Sequence, residues 1–143
     1  MKPFNHEQQS IVATLVPEEE RLDFLPRHFG THMLTVEHAL YAQFAKLCPT
    51  YTGGYWNFYD LSNGGCYLAP NRETYPLVQS GNFFEATVSG DAAGIIVSLF
   101  TFSHVSFLLE DDPLGPQIAD SFHLLRDFAA DHLEAGLISR AID

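Results

Sequence analysis

Seven histidines and two cysteines are the residues of this chain best suited to acid-base, metal or nucleophilic chemistry. His28 and His32 stand four apart, the interval that puts two imidazoles on one helix face and lets them share a metal ion. Gly30 lies between them and Pro26 just before, so the stretch predicts a loop, and no HExxH or Cys/His cluster completes a ligand set. His104 stands in a long apolar run, which predicts a core histidine bonded to a neighbour more readily than a base. Cys48 and Cys66 have neither CxxC nor multi-ligand spacing and read as reduced, small apolar residues. Cys66 falls in a predicted strand with no local signature of a thiolate paired with histidine. Carboxylate pairs like those of a glycosidase can be drawn from any acidic chain and decide nothing. Ser62-Asn63-Gly64-Gly65 has the glycines of a phosphate loop but neither its lysine nor its following helix. The expectation is a protein with no catalytic residue, no metal and no cofactor.

Charge narrows the partners. The formal net charge is -11, with 18 acidic residues against seven lysines and arginines. Binding to DNA or RNA draws its affinity from basic groups that displace counterions, so direct nucleic acid binding is disfavoured. An acidic surface that imitates DNA would spread its carboxylates along one face. Here they gather at Glu18-Glu19-Glu20 and Glu110-Asp111-Asp112, with the rest dispersed. No run approaches the roughly 18 apolar residues of a membrane span, and MKPFNHEQQS lacks the apolar core of a secretion signal. A soluble, intracellular protein is expected.

The elements that would position these residues follow from periodicity. Residues 1–10 carry no periodic apolar pattern, after which IVATLV reads as a short edge strand; the arm 1–12 is expected to be loosely ordered, ahead of one domain over 13–143. Pro17 and the three glutamates predict a helix start, and the helix should stop or kink at Pro26. Met33, Val36, Leu40, Phe44 and Leu47 recur at helical intervals and predict a helix from His32 to Cys48. Gly53 to Pro70, GGYWNFYDLSNGGCYLAP, predicts a hairpin, with an aromatic strand from Tyr55, a Ser62–Gly65 turn and a return strand that Pro70 ends. Tyr75–Gln79 and Asn82–Val88 are further extended segments of the same small, mainly antiparallel sheet. Ser89 is a good N-cap for a helix that is apolar on nearly every side. Gly94 costs that helix about 1 kcal/mol relative to alanine, which implies close packing on its bare backbone, with the hairpin as the candidate. Ile118, Phe122, Leu125, Phe128, Ala129 and Leu133 mark a last helix before a short tail. The sum is an α+β fold, one compact domain with about four helices.

As a string, GGYWNFYDLSNGGCYLAP closely resembles the hallmark of the ArdB/KlcA antirestriction family. TLVPEEERLDFLPRHFG looks like the family's start, SGDAAGIIVSLFTFSH like its AAGI helix, and LRDFAADH and the terminal ID are also similar. The likeness spans roughly residues 13 to 143. Gly90 in place of an expected proline, Cys66, and the apolar segment after His104 depart from the pattern. The resemblance implies a cytoplasmic protein that protects plasmid or other mobile DNA by inhibiting type I restriction-modification enzymes, without cofactor, nuclease or methyltransferase activity. It supplies no catalytic residue.

Contact with such an enzyme complex would use aromatic anchors in a polar rim. The candidates are Tyr55, Trp56, Asn57, Tyr59 and Asn63 on the hairpin, with Glu18, Glu19 and Glu20 as a charged second patch. Trp56 and Phe58 share one strand face and are expected to pack on the apolar helix, leaving Tyr55, Asn57 and Tyr59 on the other. Two rivals remain, an acidic mimic competing for the enzyme's DNA groove and a small enzyme using His104 or Cys66.

Overall fold

The computed structural model describes residues 10–143. Its chain order is β1 (Ala13–Leu15), a 3-10 turn (Glu18–Glu20), α1 (Arg21–Phe29), α2 (Met33–Leu47), β2 (Trp56–Leu61), β3 (Cys66–Pro70), β4 (Thr74–Gln79), β5 (Phe84–Ser89), α3 (Gly90–Leu108), α4 (Gly115–Ala129) and α5 (Ala135–Ile142). The class is α+β, as the pattern predicts. The strands form two sheets where one was expected, a three-stranded β1-β2-β3 and a separate β4-β5 hairpin, all antiparallel. Of the expected loose arm, residues 1–9 lie outside the described residues. At its end Ile11 packs partly against the core, and Val12 exchanges main-chain and side-chain bonds with Ser62.

Helix α3 is the hub. Ser89 caps it by accepting from the Ala92 N–H at 3.0 Å, and its sides are buried from Ala92 to Leu99 and again at Thr101, Phe102 and Val105. It is long and apolar enough to cross a membrane by length and composition alone, which departs from the expectation that no run comes close; here β3, α2 and α4 cover it. Each large apolar side chain so buried contributes about 1.5–3 kcal/mol. Gly94 meets β3: a Cβ there would lie 2.6 Å from the Leu68 carbonyl oxygen and against Ala69. The hairpin is indeed what the bare backbone accommodates, through the main chain of its return strand.

Two local expectations are corrected. Pro26 sits inside α1, which runs on to Phe29 and ends at Gly30 with φ 55°. The helix tolerates it because Leu22, whose carbonyl would have received the missing N–H, is itself 96% exposed to water in the first turn. Pro70 ends β3 as expected, as its last residue, paired with Trp56. Its nitrogen points away from β2, so no ladder bond is lost there. The short tail is α5, and Leu133, placed on the α4 stripe by periodicity, is fully exposed in the turn before it.

Candidate functional site

The hairpin turn explains the conspicuous LSNGG. Gly64 takes φ 95°, a region that excludes most side chains. Asn63 Oδ1 accepts from the Gly65 N–H at 3.0 Å, and its Nδ2 donates to the Leu124 carbonyl at 2.9 Å. Gly65 is needed because a Cβ would lie 2.8 Å from Leu124 Cβ. Asn63 is thus a clamp between hairpin and α4. Trp56 is likewise inward: 4% exposed, it donates Nε1–H to the Tyr51 hydroxyl at 2.8 Å and meets Phe44 edge-on. Phe58 stacks on Phe24 at 4.7 Å. Trp56 therefore packs on α2 and Phe58 on α1, and the buried Trp56 offers no surface anchor.

On the opposite strand face the candidates divide. Tyr55 is half-exposed, and its hydroxyl donates to Glu18 Oε1 at 3.1 Å. The Arg21 guanidinium lies over both the Tyr55 ring, 4.4 Å from its centroid, and the Phe58 ring, at 4.1 Å. Glu19 and Glu20 are exposed beside them. Of the hairpin candidates Tyr55 alone therefore adjoins the glutamate patch, and Arg21 joins the two; its place four residues from the helix-starting proline is the signal the sequence offers. Asn57 and Tyr59 sit apart from it, half-buried in the lining of a polar hollow of about 270 Å³ with Arg72, Glu73 and Asp91. Tyr59 stacks on Tyr67 at 4.8 Å and 14°. Burial, and then the Asp91 charge, raise the Tyr59 hydroxyl above its ordinary range.

Two titratable clamps flank the sheet. On one side Tyr67 donates to Asp91 Oδ1 at 2.6 Å, and His132 Nε2 lies 2.8 Å from Asp91 Oδ2. The Glu134 N–H points at His132 Nδ1, so that nitrogen accepts and Nε2 carries the proton given to Asp91. Burial alone would raise the Asp91 carboxyl, but the bonds from His132 and Tyr67 outweigh it and hold the group low. On the other side Arg27 makes a two-pronged pair with Asp60, 3.1 Å on each arm, and His28 Nε2 donates to Asp60 Oδ1 at 2.7 Å. Burial pushes His28 below the ordinary histidine value, more than the Asp60 bond raises it. Burial alone would likewise raise Asp60, but its bonds from Arg27 and His28 keep its carboxyl low.

These pairings dispose of the histidine arrangement considered for a metal. His28 lies on α1, not in a loop, and bonds Asp60, while His32 bonds Asp112 at 3.1 Å. No group of three His, Cys, Asp or Glu side chains converges on a metal position among the described residues. His104 is exposed on α3 and is not a core residue. Cys66 is fully buried, and its burial raises the thiol above its ordinary value, which disfavours the thiolate a nucleophile needs.

The fold and this surface define a small acidic α+β protein whose aromatic hairpin is locked to a buried helix and presents one acid-aromatic patch to solvent. The family described as "Antirestriction protein" matches residues 49–143. An antirestriction protein KlcA of Escherichia coli is 43% identical over 141 residues, 97% of this chain and 99% of the relative, and the uncharacterized protein YafX of Escherichia coli strain K12 is 37% identical over 148 residues. A solved structure from work on the KlcA and ArdB proteins superposes with a TM-score of 0.89 at 42% identity, over 98% of this chain and 100% of that one. That work describes a novel fold and antirestriction activity against type I DNA restriction systems in vivo but not in vitro. The chain belongs to the antirestriction protein family.

Proposed function

We propose that this protein protects incoming plasmid or mobile-element DNA in the cytoplasm by inhibiting type I restriction-modification enzymes, through contact with the enzyme complex and without catalysis or DNA binding. The observation that carries the reading is the joined patch of Glu18, Tyr55 and Arg21 on a chain whose structural neighbour acts against type I systems in vivo. An aromatic ring held in place by a cation and a carboxylate is the kind of rigid amphipathic anchor that protein interfaces favour. Its position beside Glu19 and Glu20 asks for a basic partner surface. Asn57 and Tyr59 extend the contact towards the neighbouring hollow.

Plating unmodified phage on cells with a type I system, with and without the protein, tests the activity, and a type II system is the control. Rescue of plating in the type I cells alone is the expected result; equal restriction with and without the protein would refute the reading. Raising ionic strength or adding nonspecific DNA in a binding assay separates protein contact from imitation of DNA, because the latter collapses under both.

A further inference from the structure

The three-stranded sheet has one edge sealed at its centre, at Leu68, and one edge open. In β2 the Phe58 main chain faces β1, since the Val16 N–H donates to the Phe58 carbonyl at 2.8 Å. At the other end the Ser62 N–H donates to the Val12 carbonyl at 2.9 Å. With Thr14 opposite Asp60, the even-numbered residues 12, 14 and 16 turn their main-chain groups towards β2. The N–H and C=O of Ala13 and Leu15 therefore point outward, and no partner for them exists among the described residues. On the far edge, Leu68 of β3 is in the same position, but Ser98 of α3 bonds both its N–H and its carbonyl at 3.2 Å.

The open edge is held rigidly at both ends, by Ser62 and by Phe58. It carries exposed apolar side chains, Val12 at 56% and Leu15 at 53%. An extended peptide can add to such an edge with little reordering of the host, its main chain supplying affinity and its alternate side chains specificity. The charge on the page chooses the occupant. The acidic run Glu18-Glu19-Glu20 directly follows the edge, and the chain carries -11 overall, so a second copy would be repelled and a basic strand attracted.

We propose that β1 is a strand-addition edge, on which an extended basic segment of the type I restriction complex pairs with Ala13 and Leu15 while the Tyr55–Glu18 patch receives its flanking cationic side chains. This rests on the functional reading above and specifies how the partner is gripped.

Proline separates pairing from folding. Ala13→Pro removes an outward N–H that no internal bond uses, as edge strands tolerate. Thr14→Pro removes one that faces Asp60 and serves as the destabilised control. The expected result is that Ala13→Pro melts like the parent protein yet loses antirestriction by about tenfold or more, the equivalent of one or two interfacial bonds. A folded Ala13→Pro protein that protects phage DNA as well as the parent overturns the proposal while leaving the functional reading intact. A parent that fails to protect overturns both. Crosslinking in cells that carry the type I system, from a photoreactive residue at position 13 of the otherwise unmodified protein, gives a second reading: a crosslink to a restriction subunit supports the edge, and a protein that protects phage DNA without any such crosslink overturns it. A dimer that Ala13→Pro dissolves would also overturn it, in favour of self-pairing.

Discussion

The two edges of the β1-β2-β3 sheet show how one chain treats the same physical problem in opposite ways. At β3 the outward-facing ladder groups of Leu68 are consumed by Ser98, and Gly94 lets α3 come close enough to do it. At β1 the corresponding groups of Ala13 and Leu15 have no bond from the described residues. An unpaired sheet edge is a liability that folded proteins normally blunt. The contrast assigns stability to the sealed edge and recognition to the open one, and substitutions at the two should separate cleanly.

The largest effect is expected at Gly94. Alanine in place of glycine usually stabilises a helix by about 1 kcal/mol, but here the new methyl would press on the main chain of β3, which cannot rotate away. Gly94→Ala should therefore reverse that sign and destabilise by about 3 kcal/mol, read as a lowered midpoint in urea. A variant as stable as the parent would mean that α3 does not clamp the edge. Next is Ser98→Ala, which leaves the Leu68 N–H and C=O buried and unmet. About 1–3 kcal/mol should be lost, with faster exchange of the Leu68 amide and no change at Ala13.

The sealed edge was partly legible in the sequence and the open one hardly at all. Gly94 stood out because glycine inside an apolar helix needs a reason, and the aromatic hairpin was close to the right partner. Ser98 gave no such signal, since a serine in an apolar run reads the same whether it bonds its own helix or a strand. The burial of Trp56 followed from its alternation with Phe58, but which helix covers them depends on how α1 and α2 fold back, and that is a long-range matter. Pro26 misled because the carbonyl it leaves without a helical donor, that of Leu22, belongs to a residue exposed to water. The separation of β4-β5 from the hairpin also escaped, because period-two alternation marks strands and says nothing of their neighbours. At the candidate surface, residue types suggested Tyr55 and the glutamates, whereas Arg21 joins them only in three dimensions.

Acid should loosen the two sides of the sheet in order. His28, beside β2 and α1, is held below its ordinary value of 6.5, so the folded state takes up its proton later than the unfolded one. Stability from this group is complete above about pH 6.5 and is lost as pH falls from there towards the lowered value. Asp91 beside β3 and Asp60 beside β2 are carboxyls held below 3.8, so their contributions persist until pH falls below about that point. Unfolding measured from pH 7 to pH 3 should therefore show a first, shallow decline that His28→Gln removes and a second, steeper one that it leaves. A single decline confined to the carboxylate range in both proteins would mean that His28 is not held neutral by burial.

The smallest change in stability is expected at the exposed patch. Tyr55→Phe keeps the ring beneath Arg21 and removes only the bond to Glu18, and Glu18→Gln weakens the same bond from the other side. Both groups face water, where such pairs contribute at most about 0.5 kcal/mol, so melting should barely move. If the patch receives a basic partner, phage protection should nonetheless fall with Glu18→Gln and fall further with Tyr55→Ala, which deletes the ring. The two effects should also be less than additive, since the hydroxyl and the carboxylate act as one unit. Full additivity would mean that Tyr55 and Glu18 serve the partner separately, and normal protection by the Tyr55→Ala protein would remove the patch from the interface and leave recognition to the edge of β1 alone.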